Sequence, residues 1–397
     1  MAVNTIRNIR LDGLLSFAPG AAVLELQPLN VLIGPNASGK SNLIEAFELL
    51  RSTPTDFAAA IRDGGGPQEW IWKGRPRAGS ATIEMELSDE NPARRPLRYR
   101  LEFSTVQNRV EVLDEAIENR DAFPGKPDVF FYYRFQRGDP VINIRTTAAG
   151  QRRAQRQLRR EDFRASQSVL AQRKDPDLYP EVTWVGETFR GFHLFRDWTF
   201  GRFVNLRTPQ PADLPGDVLL PDASNLALVL NEIEHRDGNR FNNALRRFFP
   251  RFQRMSTRVF GGTVQFYLHE LDFDSPIPAT RLSDGTIRFI AMLAVLLSPS
   301  PPGFVCIEEP ELGLHPDAVA QIAELLIEAS TRMQLLVTTH SESLVSALSD
   351  RPDAIIVCER PGSATALQRL DPESIRPWLE EGRLGDLWGT GVLGANP

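Results

Sequence analysis

Residues 34–41, GPNASGKS, sit between the apolar run LNVLIG and the segment SNLIEAFELL, and they restrict the fold of this 397-residue chain more tightly than any other stretch. LNVLIG has the length and aliphatic content of a buried strand. Leu43, Ile44, Phe47 and Leu50 recur at helical spacing, so the unit reads strand, loop, helix. Glycines let backbone N–H groups come close to phosphate, and the start of a helix adds the positive end of its dipole. Lys40 brings a full charge, and the Ser41 hydroxyl can ligate a divalent cation. The spacing G-x-x-x-x-G-K-S is that of a phosphate-binding loop, and the strand-to-helix setting is the context it requires. Gly34, Pro35, Asn36, Ala37, Ser38, Gly39, Lys40, Ser41 and the adjoining Asn42 therefore form the candidate site for a nucleoside triphosphate.

A second stretch, FVCIEEPELGLHP at 304–316, ends an apolar strand in two adjacent acids, Glu308 and Glu309. Two neighbouring carboxylates repel each other unless a cation relieves them. A triphosphate hydrolase needs one acid at a strand end to hold magnesium and one base to orient the attacking water, so Glu308 is the candidate metal ligand with Ser41, and Glu309 the candidate base.

Strands alternate with helices at both ends of the chain, which implies one parallel sheet built from both termini with residues 55–275 between its halves. ATIEMEL, RYRLEF and RVEVL alternate apolar and polar residues like half-buried antiparallel strands. The stretch from about 150 to 270 reads as mostly helical. Expected units are an ATPase core of 1–55 with 276–397, an antiparallel β-rich lobe of 56–145, and a basic, mostly helical insertion of 146–275.

Three motifs share an order and spacing with a known family. LSDGT at 282–286 resembles the ABC signature, CIEEPE resembles Walker B with its catalytic glutamate, and LLVTTHSESLV resembles the switch-histidine strand. Ser283 lies 26 residues before Glu309, and His340 lies 31 after it. With the phosphate loop they resemble the compact RecF-like and SMC-like branch of ABC ATPases, the bacterial AAA-family ATPases related to the ATPase part of OLD-family proteins. The fold implied is α/β: a P-loop NTPase of the ABC ATPase head type, with a mixed or parallel core sheet, an antiparallel β-lobe and an inserted, mostly helical lobe.

By that resemblance ATP and Mg²⁺ are the cofactors, Lys40, Glu309 and His340 the catalytic residues, and Ser41 and Glu308 the metal ligands. Ser283 and Gly285 would touch the ATP held by a second head, so the chain would form an ATP-dependent homodimer or higher oligomer. The implied role is an ATP-hydrolysing switch in DNA repair or anti-phage defence that controls a separately encoded nuclease, of TOPRIM type, or another effector. A transporter nucleotide-binding subunit and a non-hydrolysing, nucleotide-dependent scaffold are the alternatives; the long basic insertion speaks against the former.

The chain departs from the family pattern in several places. Glu308 stands where Asp is usual, which directs the magnesium contact through water. Asp284 replaces a second signature glycine, no D-loop Asp follows the Walker B acids, and His315 precedes Pro316 at a helix start. The Q-loop glutamine has two candidates, Gln172 and Gln136, and Phe17 is a candidate for lying near the base or in the core.

Charge is unevenly distributed behind a net value of −6. Residues 301–397 carry 15 acids against 6 Arg, while 151–174 carry 8 Arg or Lys against 2 acids, and 236–258 carry 7 Arg against 1 acid. If helical, Arg152, Arg156, Arg160 and Arg164 form a basic ridge. This ridge and the Arg- and Phe-rich stretch at 240–258 fit DNA, a protein partner, or pairing with the acidic C-terminal third. No apolar run is long enough to span a bilayer, so the expected partners exclude a membrane and the expected location is cytoplasmic. Cys306 and Cys358 lie in strand-like runs and read as buried thiols, and Trp378 and Trp388 as packing residues.

Overall fold

The computed structural model describes residues 5–75, 77–89, 91, 94–136, 139–145, 153–159, 163–196, 198, 201, 204–380 and 382–394. From the N-terminus, β1 (Ile6–Asp12) and β2 (Leu24–Glu25) lead to β3 (Leu29–Ile33), the phosphate loop and α1 (Lys40–Ser52). Two short helices, α2 (Phe57–Asp63) and α3 (Pro67–Trp70), precede the strands β4 (Ala81–Leu87), β5 (Leu97–Val106), β6 (Arg109–Asn119), β7 (Phe131–Gln136), β8 (Asp139–Arg145) and β9 (Arg153–Gln157). Next come α4 (Val169–Gln172), α5 (Pro180–Arg190), β10 (Phe192–Phe195), β11 (Gln210–Pro211), α6 (Leu226–Phe248), β12 (Phe252–Phe260), β13 (Thr263–Glu270) and β14 (Ile277–Pro278). The C-terminal third is α7 (Asp284–Leu296), β15 (Phe304–Glu308), α8 (Pro316–Ala329), β16 (Gln334–Thr338), α9 (Glu342–Ser346), β17 (Ile355–Glu359), β18 (Ala366–Arg369), α10 (Pro372–Leu379) and α11 (Leu384–Gly389).

The central sheet has the order β10-β15-β16-β3-β17-β18 and is parallel except for β18. Its middle strands are buried on both faces, which is why they read as unbroken apolar runs rather than alternating ones. Alternate residues serve two different cores. Val31, Val305, Ile307, Leu335, Val337 and Ile355 face α6, α7, α8 and α9. Leu32, Cys306, Leu336 and Ile356 face the opposite way, toward α1, α5 and an eight-stranded antiparallel sheet of order β2-β1-β4-β5-β6-β7-β8-β9. In β4 the burial alternates along all seven residues, the signature of a strand with one packed face.

The sheet draws on both ends of the chain, as expected, but β10 comes from the middle. FHLF is too short to stand out in sequence, and aromatic packing fixes it: Phe192 lies against Phe304 and Phe47, with ring centroids 4.9 and 5.8 Å away, while Phe47 stacks on Phe304 at 4.6 Å. The basic stretch expected as a helical ridge is different too. Arg156 lies on β9, a strand at the edge of the antiparallel sheet, so i, i+4 spacing does not align it with Arg164, which lies in a loop before α4. Arg152 and Arg160 fall outside the described residues. The helical reading failed there because Arg and Gln carry little periodicity of their own, and pairing with β8 decides the conformation. A third, antiparallel sheet joins β11, ahead of α6, to β12, β13 and β14 after it, so the stretch to 270 mixes helices with strands.

Cys306 and Cys358 are buried free thiols. Phe17 belongs to the core. Trp388 is fully buried, whereas Trp378 is largely exposed and packs less than its type suggested. Among the described residues no helix is long and apolar enough to cross a membrane.

Candidate active site

Parallel pairing assembles the site. Glu308 is level with Thr338, and Thr338 with Leu32, so the chain leaves β15, β16 and β3 along one edge. That carboxyl edge is where open α/β sheets form ligand crevices. Residues 36–42, Glu308, Glu309, Thr338, His340 and Arg360 line one cleft there.

Close backbone contacts shape the phosphate loop. A Cβ on Gly34 would lie 2.1 Å from the Cys358 carbonyl oxygen, and one on Gly39 would lie 2.1 Å from Thr365 Oγ1. Both glycines have positive φ, 142° and 110°, which other residues adopt only under strain. Residues outside the motif brace it: Thr365 Oγ1 lies 2.7 Å from both the Ser38 carbonyl and Ser16 Oγ, and Asn42 Nδ2 donates to Ser16 Oγ at 2.7 Å.

Lys40 is buried, and its Nζ donates to the carbonyls of Gly34 and Pro35 at 2.6 and 2.9 Å. Burial holds its pKa below the usual lysine value, against the opposing pull of Glu309 and Glu308. The residues fit a triphosphate and a divalent cation. Ser38 Oγ is buried with no hydrogen-bond partner, and the first-turn amides of α1 have none within the helix. Ser41 Oγ donates to Glu308 Oε1 at 2.5 Å. Neighbouring oxygens on a six-coordinate Mg²⁺ stand about 3 Å apart, so a small opening of this pair admits the ion. The extra methylene of Glu308 does not keep its carboxylate from the serine.

Glu309 has φ of 46°, a left-handed conformation that costs a non-glycine residue about 1 kcal/mol or more. Pro310, next in the chain, restricts it further. Hydrogen bonds hold this backbone: Glu309 N–H donates to the Thr338 carbonyl at 3.0 Å, and the Glu309 carbonyl accepts from Arg288 and from the Leu312 N–H, each at 3.1 Å. The strain aims the carboxylate at His340, with Oε1 3.7 Å from Nε2. Burial first, then Lys40, pushes the His340 pKa below its ordinary value, with Glu309 opposing. The shift favours the neutral imidazole, which can either donate or accept a hydrogen bond.

Four residues escaped the sequence reading. Glu311 accepts from Thr339 Oγ1 at 2.7 Å and from the His340 backbone N–H at 2.8 Å, tying the β15 loop to the histidine. Its own signal was a third acid in EEPE. Arg288 is buried on α7 and reaches the Glu309 peptide from the signature side. Arg207 explains Asp284: the buried guanidinium donates to the Asp284 carboxylate and to the Leu282 carbonyl, clamping the turn where a second glycine is usual. Arg196, beyond β10, donates to Glu308. Of the glutamine candidates, Gln172 caps the turn at Arg164 and Gln167, away from the cleft, and Gln136 is the last residue of β7 in the antiparallel sheet.

Ser283 and Gly285 do not line this cleft. Ser283 is the exposed N-cap of α7, accepting from Thr286 N–H at 3.1 Å, and Gly285 follows in the first turn, where a Cβ would lie 3.1 Å from the Gly313 carbonyl. His315 caps α8 ahead of Pro316 at its first turn, as its position suggested.

A phosphate loop at the carboxyl edge of a parallel sheet, faced by paired acids and a histidine, together with a serine-capped helix presented outward, defines a P-loop ATPase head of the ABC/SMC class. The chain belongs to the family described as "AAA domain, putative AbiEii toxin, Type IV TA system", whose model matches residues 29–346. No curated protein matches it by sequence. Among solved structures it is similar to an SMC head bound to the C-winged helix domain of ScpA, with 15% identity, a TM-score of 0.57, and coverage of 94% of this chain and 99% of that one. It is similar too to an SMC head domain with an extended coiled coil, bound to the C-terminal domain of ScpA, derived from Pyrococcus furiosus; identity is 13%, the TM-score 0.57, and coverage 95% and 99%. Likeness at this level of identity establishes the fold.

Proposed function

We propose that this chain binds ATP with Mg²⁺ over residues 34–42 and hydrolyses it, and that two copies close on the nucleotide as a molecular switch. The observation that carries this reading is the convergence of Lys40, Ser41, Glu308, Glu309 and His340 on one cleft from three adjacent strand ends. Lys40 and the loop amides hold the phosphates. Ser41 and Glu308 hold the metal ion, which supplies charge neutralisation when bound. Glu309 orients and deprotonates the attacking water, while His340 contacts the γ-phosphate end. Ser283, exposed, and Gly285, half-buried, at the start of α7 suit the opposite subunit's nucleotide because a free helix N-terminus favours an anion.

The switch reading extends to DNA repair or anti-phage defence, with a separately encoded nuclease or other effector as its output. The basic stretch at 240–258 pairs in part with the acidic C-terminal third of the chain itself. Arg240 pairs with Glu328, and Arg247 with Glu324 at 2.7 Å, so two of its arginines are spent on α8. The SMC heads of similar fold are themselves bound to a ScpA domain.

Solution mass of Glu309→Gln by light scattering, with and without Mg-ATP, tests the proposal. A monomer that becomes a dimer only with Mg-ATP is expected. An unchanged monomer that binds the nucleotide would remove the two-headed mechanism.

A further inference from the structure

Four charged groups outside the phosphate loop meet at the Walker B edge. The parallel register of β10 with β15 runs Phe192 to Phe304, His193 to Val305, Leu194 to Cys306 and Phe195 to Ile307, which brings the next residue, Arg196, beside Glu308. The aromatic cluster of Phe192, Phe304 and Phe47 fixes that strand end against α1. Arg196 Nε donates to Glu308 Oε2 at 3.0 Å and Nη1 to Glu48 at 2.9 Å, while Nη2 stands 3.6 Å from Glu45. Its side chain is 19% exposed, as is that of Glu308. One guanidinium thus serves three carboxylates, two from the phosphate-loop helix and one that is the candidate metal ligand.

We propose that Arg196 is a built-in counter-cation which stands in for the divalent metal: it neutralises Glu308 while the metal is absent and competes with the metal for that carboxylate, so that it sets the Mg²⁺ concentration at which nucleotide loads. The inference rests on the nucleotide reading above and concerns residues that it leaves unexplained.

The physical argument is one of charge and position. Ser41 already occupies one oxygen of Glu308 and Arg196 the other, so the carboxylate is fully engaged before any metal arrives. A fixed positive charge a few ångströms from a divalent ion repels it, and in a partly buried site that repulsion is weakly screened. Glu45 and Glu48 lessen the penalty by giving the guanidinium a second place to bind. Without Arg196, three carboxylates face one another unscreened, which destabilises the metal-free protein and strengthens its attraction for a cation.

The test is a Mg²⁺ titration of Glu309→Gln with a fluorescent ATP analogue, together with melting temperatures in metal-free buffer and in excess Mg²⁺ without nucleotide. Adding Arg196→Met is expected to lower the half-saturating Mg²⁺ about tenfold and to lower the metal-free melting temperature, part of which Mg²⁺ alone restores. Arg196→Lys, which keeps the charge, holds the half-point near that of the parent. Glu48→Gln, at an exposed position that leaves the loop intact, concentrates Arg196 on Glu308 and raises the half-point about threefold. An unchanged or higher half-point in Arg196→Met, or no effect of Glu48→Gln should the arginine variant not fold, overturns the proposal and reduces Arg196 to a brace for β10. If the Glu309→Gln parent binds no analogue at any Mg²⁺ concentration, the nucleotide reading fails and takes this inference with it.

Discussion

The phosphate cleft and the signature edge lie on the same subunit, yet they are built on opposite plans. In the cleft, Lys40, Ser41, Glu308, Glu309 and His340 come from three neighbouring strands and face one another within hydrogen-bond or near-contact distance. At the signature edge Ser283 is exposed and Gly285 half-buried, and what holds them is a cis scaffold: Arg207 on Asp284, and the serine's own cap on α7. The cleft draws these five candidate residues from one chain. At the edge Ser283 Oγ is met within its own turn by the Thr286 N–H and hydroxyl, while the first-turn amides of α7 have no acceptor within the helix, which suits the proposed action on a second copy.

The link between the two is physical. Arg288 leaves the second turn of α7 and bonds the strained Glu309 peptide, so one side chain joins the signature helix to the candidate base. A static bond of this kind identifies a route and the residue to change.

Perturbing the two regions should give different losses. The largest is expected for Lys40→Ala, which removes the buried charge from the loop and should weaken nucleotide affinity by about a thousandfold in a fluorescence titration. Binding near that of the parent would break the assignment of the cleft. Glu309→Gln should retain affinity while lowering turnover about a hundredfold or more, measured as phosphate release under saturating ATP. Equal loss of affinity would move Glu309 from chemistry to binding.

Ser283→Arg should leave binding to the monomer intact, yet reduce turnover at least tenfold and abolish ATP-dependent dimerisation, read by light scattering. A fall in monomer affinity would mean that the edge acts in cis, and the contrast between the two regions would disappear. Arg207→Met leaves the Leu282 carbonyl and Asp284 without their donor, and should cost about 1–3 kcal/mol in urea unfolding; Asp284→Gly in the same background should cost little more, since the two act as one unit.

The smallest expected effect lies away from both regions and serves as a control. Glu115, fully buried between Tyr99 and Ser168, has its pKa raised to about 7, chiefly by burial. A carboxyl raised on folding holds more protons in the folded than in the unfolded chain between its two pKa values. Stability contributed by the neutral form is therefore complete below about pH 4.5 and is lost as pH rises toward 7. The melting temperature should decline across that window, and Glu115→Gln should flatten the slope without changing nucleotide affinity.

The sequence alone determined the phosphate loop, the paired acids, the candidate histidine after β16 and the alternation of strands and helices at the two ends, because each depends on neighbours in the chain. GPNASGKS needs only its own spacing, and a strand buried on both faces declares itself as LNVLI or FVCI whatever lies beside it. What required the tertiary structure was every contact between residues far apart in sequence. Arg196 meets Glu308 across 112 positions and Arg207 meets Asp284 across 77, and no local pattern marks either arginine among the chain's many. The same is true of β9, whose Arg156 read as part of a helical ridge while pairing with β8 makes it part of a strand. Local chemistry specifies which groups can act on a phosphate; only packing of the distant segments decides which other charges stand next to them.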